Sequence, residues 1–162
     1  MVWGKNGTPS TLGSAGDTLV ISDLTAKKFN VVLSHHIKSG SIWGVVKLNS
    51  DAGANYANRF STNGGADNAT YTSSNYAHFG DLNNGVFDTF NFGYIINIAT
   101  EEKLMISFSC NANTAGAGNA PQRSEIVSKW ANTAAQFTTI NYDNINAGSY
   151  DTGTNLSALG TD

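Results

Sequence analysis

Residues 41–60 read SIWGVVKLNSDAGANYANRF. An apolar run from Ile42 to Leu48 meets the polar cluster Asn49-Ser50-Asp51-Ala52-Gly53. An extended pattern then resumes in Asn55-Tyr56-Ala57-Asn58-Arg59-Phe60. Asn, Asp and Gly tolerate positive φ or cap a turn with their own side chains, so the stretch reads as strand, reversal, strand: a hairpin. The same grammar repeats in both directions. Turn-rich clusters separate nine candidate strands, at residues 18–22, 28–38, 42–49, 55–61, 87–99, 103–111, 122–131, 136–144 and 155–159. Two longer connections, residues 62–81 and 111–121, are rich in Gly, Ala, Asn and Ser and read as loops.

Alternation sets the expected faces. In residues 28–38, Phe29, Val31, Leu33, His35 and Ile37 fall on one side, with Asn30, Ser34, His36 and Lys38 on the other. In residues 104–110, Leu104, Ile106, Phe108 and Cys110 oppose Ser107 and Ser109. A period of two is that of a half-buried sheet, with the apolar side expected inward. On that parity Leu33, Trp43, Phe108 and Trp130 are expected between the sheets, and Cys110 as a small buried hydrophobe. The run SEIVSKWA at residues 124–131 also admits a helix, but its shortness and its end at Asn132-Thr133 favour a strand. Eight to nine strands, each with one apolar face, imply an all-β fold: a two-sheet antiparallel β-sandwich, jelly-roll-like, with an immunoglobulin-like sandwich as the alternative. The organisation expected is an irregular N-terminal arm over residues 1–16 and one sandwich domain over 17–162.

Composition narrows the function. Charged residues make up only 13% of the 162, yet the chain carries eight Phe, six Tyr and three Trp, too many aromatics for a disordered segment. The net charge is −3 and no run of Lys or Arg occurs, which disfavours nucleic acid and anionic membranes as partners. The start, MVWGK, is not a secretory leader, and no apolar run approaches the roughly 20 residues of a membrane helix, so a soluble protein made in a cytoplasm is expected. With a single cysteine, Cys-cluster metal sites are excluded.

No catalytic motif stands out, and no enzyme activity, cofactor or metal is expected: G-x-S-x-G, H-E-x-x-H and P-loop patterns are all missing. His35 and His36, being adjacent on a strand, point to opposite faces and cannot share one metal. Asp51 with Asn49 and Asn55 offers oxygen ligands for Ca²⁺, but turn capping accounts for the same residues. Tyr71, Tyr76, His78 and Phe79 stand out in the 62–81 segment, and the first three are the candidate ligand-binding residues: on a loop, aromatic and amide groups stack on sugar faces and bond hydroxyls. Packing the loop down or filling a subunit interface is the competing role.

Three segments carry a resemblance. Lys47-Leu48-Asn49-Ser50-Asp51-Ala52-Gly53-Ala54-Asn55-Tyr56 resembles the RFNGDTGSNYA hairpin of small virion proteins of tailed bacteriophages. The stretch from Phe92 to Lys103, FGYIINIATEEK, is similar to the central hairpin of that group. The end, Ala147-Gly148-Ser149-Tyr150-Asp151 through Leu156-Ser157-Ala158-Leu159-Gly160, is similar to its closing F-x-x-G-S-x-I-x-L-x-G strand. Lys47-Leu48 replace Arg-Phe, and Tyr150 stands where Phe is commoner. The resemblance implies a non-enzymatic tail-fibre or spike tip, or a capsid decoration subunit. It further implies a homo-oligomer, a trimer, on the virion surface, with other virion proteins and a host-surface glycan as partners. Rival readings are a carbohydrate-binding module and a self-assembling extracellular fibre subunit.

Overall fold

A computed structural model describes residues 2–38, 40–80 and 87–162. Among the described residues there is no helix, and all regular structure is strand: β1 (Gly4–Lys5), β2 (Ser10–Thr11), β3 (Thr18–Ile21), β4 (Phe29–His36), β5 (Gly44–Leu48), β6 (Tyr56–Thr62), β7 (Asp67–Ser74), β8 (Ala77–His78), β9 (Thr89–Ile96), β10 (Lys103–Asn111), β11 (Gln122–Trp130), β12 (Ile140–Asn144) and β13 (Asn155–Thr161). They form two antiparallel sheets. The large sheet runs β1-β13-β4-β9-β10-β11-β6-β7, with β2 also pairing β13, and the small one runs β3-β12-β5-β8. The fold is thus the expected all-β, two-sheet antiparallel sandwich, and each of the nine expected runs contains a strand. The run 124–131 is extended within β11.

The 41–60 reversal forms, but it does not make a hairpin. Asp51 N–H donates to the Leu48 carbonyl at 3.1 Å, and Asn49 and Ser50 have φ of 52° and 56°. β5, however, pairs β12 and β8 in the small sheet, while β6 pairs β11 and β7 in the large one. Turn chemistry sets the local reversal, not the sheet that the next strand joins. Here the chain crosses between layers, and side chains hold the crossing. Leu48 N–H donates to the Tyr56 hydroxyl at 2.9 Å, and the Asp51 carboxylate accepts from Gly53 N–H (2.8 Å), Asn55 Nδ2 (2.9 Å) and Trp130 Nε1 (2.7 Å).

The segment 62–81, read as a loop, instead contains β7 and β8; Asp81 at its end lies outside the described residues. β7 extends the large sheet and β8 joins the small one, so this segment is a second crossing. Asn58 fixes it: its Oδ1 accepts His78 N–H at 2.9 Å, and its Nδ2 donates to the Tyr76 carbonyl at 3.0 Å. Residues 2–16 are tied to the edge of the same sandwich. β1 and β2 both pair β13, and the buried Asn6 side chain donates to Asn30 Oδ1 at 2.9 Å and accepts from Thr25 N–H at 2.9 Å.

The largest departure concerns parity. Along β4 the buried residues are Asn30, Val32, Ser34 and His36, with Phe29, Val31 and Leu33 only half-buried. Along β10 the buried residues are Lys103, Met105, Ser107, Ser109 and Asn111, while Leu104 and Ile106 are exposed. Trp130 is buried as expected. Leu33, Trp43 and Phe108 are only half-buried, and Cys110 is exposed. The physical reason is size. The small sheet and its connections project large side chains inward, among them Phe79, Phe137, Tyr142 and Ile140, and these need small residues opposite. At Gly93, a Cβ would lie 2.5 Å from Phe79 Cε2 and 2.9 Å from Ser107 Cβ. The inward polar groups are mostly small amides and hydroxyls that find partners in the layer. Ser34 Oγ donates to the Asn155 carbonyl (2.8 Å), Ser128 Oγ to Asn58 Oδ1 (2.7 Å), and Asn91 Nδ2 meets His36 Nε2 (2.7 Å).

Candidate functional site

Two features of this architecture bear on function. The first gathers the three candidate residues. β7 brings Tyr71 beside Asn58 on β6, the turn after it carries Tyr76, and β8 sets His78 opposite Val45 on β5. The His78 ring lies at the centre, with centroid distances of 5.1 Å to Tyr71, 5.2 Å to Tyr76, 5.9 Å to Phe60 and 6.2 Å to Trp43. The structure therefore unites Tyr71, Tyr76 and His78, and adds Phe60 and Trp43, whose participation no sequence spacing announced.

The three residues differ in access. His78 is fully buried, so it does not stand on a loop open to a ligand as the sequence led one to expect. Neither of its ring nitrogens has a hydrogen-bond partner among the described residues. Burial pushes the imidazole down to about 4, so it is neutral at neutral pH. Tyr76 is half-buried, and burial raises its phenol above the ordinary value. Tyr71 is 37% exposed and borders an open groove of about 300 Å³ that Arg59, Thr72 and Lys129 line together with Leu104 and Val127. Of the three, Tyr71 is the one with a face toward solvent.

The second feature is the outward face of the large sheet. Its registers build continuous rows across the strands. One row runs Leu159, Val31, Tyr94, Ile106 and Val127. The next runs Leu33, Phe92 and Phe108, with the Phe92 and Phe108 rings stacked at 5.3 Å. Phe90 and Cys110 sit opposite each other in a third row, and Leu104 stands on the far side of Ile106. Phe90, Tyr94, Leu104, Ile106 and Val127 each expose between 46% and 56% of their surface. Trp3 of the arm stands over this face, across a groove of about 420 Å³ lined by Phe29, Tyr94, Ile96, Leu104 and Ile106.

Charges ring the field rather than entering it. On the β11–β6–β7 side, Arg59 pairs with Asp67 at 2.8 Å, Arg123 with Glu125 at 3.5 Å, and Lys129 with Glu102 at 2.8 Å. An apolar centre with a polar rim is the anatomy of a protein–protein contact.

Asp51, the Ca²⁺ candidate, has its carboxylate occupied by three N–H donors. Burial pushes this carboxyl up, but the bonds from Trp130, Gly53 and Asn55 outweigh that and hold it below its ordinary value. Among the described residues no group of three His, Cys, Asp or Glu side chains converges as a metal site.

No family model and no curated protein matches the sequence. Among solved structures, the chain shows a slight similarity to a scytalido-glutamic peptidase bound to a peptide-based transition-state analogue: 13% identity, 93% of this chain, 64% of that chain and a TM-score of 0.27. It shows another to the CBM2 module of the evolved Dit protein of Lactobacillus casei BL23 phage J-1: 10% identity, 95% of this chain, 76% of that chain and a TM-score of 0.19. Likenesses this slight carry no argument.

Proposed function

We propose that the chain is a non-enzymatic structural subunit that works in a homo-oligomer on the surface of a phage virion, as a fibre or spike tip or a capsid decoration. The observation that carries the assembly half of this reading is the outward face of the large sheet. Its apolar centre, continuous across several strands, is at or above the largest patches that single subunits ordinarily expose, and patches of that size mark interaction surfaces. The virion half rests on the motif resemblance at residues 47–56, 92–103 and 147–160. The low charge and the amide- and hydroxyl-rich surface suit a coat exposed to variable surroundings. Contact with a host glycan falls to Tyr71, the one of the three candidate residues with a face toward solvent.

The test is to raise antibodies to the purified chain and label gradient-purified phage particles from the source culture. Labelling at a fixed site on the particle is the expected result. A chain abundant in the lysate but missing from particles overturns the reading.

A further inference from the structure

We infer that the outward face of the large sheet is covered by the same face of a second copy of this chain, the two large sheets stacking face to face with the Phe92–Phe108 pair near the centre of the contact. This rests on the assembly reading above and gives that assembly its interface.

Four observations select this occupant. The first is size. The half-exposed side chains, with the flanks of Val31, Leu33, Phe92 and Phe108, amount to an apolar field on the order of 600–700 Å². A standard interface takes about 800 Å² per partner, rim included, so field and rim together match one subunit's share. The second is chemistry. Within the field only Tyr94 carries a hydroxyl, so the centre has almost nothing with which to bond a sugar or a peptide backbone; it is suited to another apolar surface. The third is charge. On the β11–β6–β7 side the rim ions are already paired within the chain, Arg59 with Asp67, Arg123 with Glu125 and Lys129 with Glu102. That margin offers no cluster of one sign to a polyanion, an anionic membrane or a strongly basic protein, and it does not repel its own copy. The fourth is shape. Two twisted sheets of like hand pack in the aligned manner about 10 Å apart, side chains interdigitating, and the shallow grooves that flank Tyr94 and Phe90 provide the recesses for this. A contact of a patch with itself closes under twofold symmetry, as a dimer and not as the trimer that the resemblance implies.

The experiment uses the full chain. Its mass is measured by sedimentation across a range of concentrations, and the rate at which a small maleimide labels Cys110 is followed alongside. Cys110 is exposed in the single subunit and sits in this face beside Phe90. Ile106→Glu is the disrupting variant. Its side chain points outward, so far-UV dichroism and the unfolding transition of the dilute, dissociated protein serve as the folding control. A Tyr71→Ala variant, whose lost ring packs on Phe60 and His78 and not on the outward face, tests a contact elsewhere.

The expected result is an oligomer whose Cys110 labels more slowly as concentration rises. Ile106→Glu should be folded, carry the mass of one chain and label fast at every concentration, while Tyr71→Ala assembles normally. An oligomer whose mass and Cys110 labelling ignore Ile106→Glu overturns the face-to-face interface and leaves the assembly reading standing. A wild-type chain of single-subunit mass at all concentrations overturns both, whether or not it captures another protein, a glycan or a vesicle.

Discussion

At the residue scale, Asp51 shows how one side chain closes the sandwich. Its carboxylate receives Trp130 Nε1 from the large sheet while capping the turn that leaves the small one. Replacing it by Ala leaves a buried indole N–H unpaired and the turn uncapped. Hydrogen bonds to charged groups contribute about 1.5–3 kcal/mol, and a loss in that range is expected, read from urea unfolding. His78 gives a pH signature. Its native pKa of about 4 lies below the ordinary value near 6.5, so the unfolded chain takes up the proton first. Its contribution is complete above pH 6.5 and drains away as pH falls toward 4, by about 3 kcal/mol at the full shift. His36, buried against Asn91 and Tyr142, is displaced in the same direction, chiefly by burial and then by Lys38 and His35. Unfolding free energy measured at pH 7, 5.5 and 4.5 should fall steeply, and less steeply in a His78→Phe variant. A slope unchanged by that substitution would place the titration elsewhere. In the sequence the capping role of Asp51 was legible from Asn-Ser-Asp-Ala-Gly. The indole was not, because Trp130 lies 79 positions away and nothing local marks it.

At the element scale, the strands themselves were readable, because Val, Ile, Thr and aromatic runs bounded by Asn, Gly and Ser leave few alternatives. What pairs with what was less so. The turn at 49–53 has hairpin chemistry yet links two sheets. β7 hid in DNATYTSS, a polar, Ala-containing run with the weak alternation of an edge strand. Gly93 on β9 marks a tight approach of the layers, since Phe79 packs where its side chain would be. Gly93→Ala is expected to destabilise by about 1–3 kcal/mol through overpacking, read by thermal melting. Removal of residues 1–16 strips β1 and β2 from β13 and takes from Asn30 Oδ1 its Asn6 donor. Such a chain should keep its far-UV signature, melt earlier and aggregate through the bared β13 edge. If it unfolds outright, the arm belongs to the core.

At the scale of the whole molecule, the alternation was visible but its sign was not. Periodicity says that a strand has two faces; which one turns inward depends on the opposing layer. Here Phe79, Phe137 and Tyr142 occupy the space that Leu33 and Phe108 had been expected to fill. The energetic consequence is an inverted mutational map. Tyr142→Ala should cost about 3–5 kcal/mol, as for a buried aromatic, and Phe108→Ala distinctly less when both are measured on dissociated protein. Equal losses would restore Phe108 to the interior. Ser107, with no side-chain partner among the described residues and Phe79 packed nearby, should tolerate Ala and reject Leu. The position of β13 adds a consequence for biosynthesis. This strand, the last in chain order of those described, sits between β1 and β4, which are among the first. On the ribosome β4 therefore waits, one edge open, for some 120 residues before its neighbour emerges. The large sheet closes only after every other described strand has been made, and until then β4 presents an open edge to whatever else the nascent chain meets.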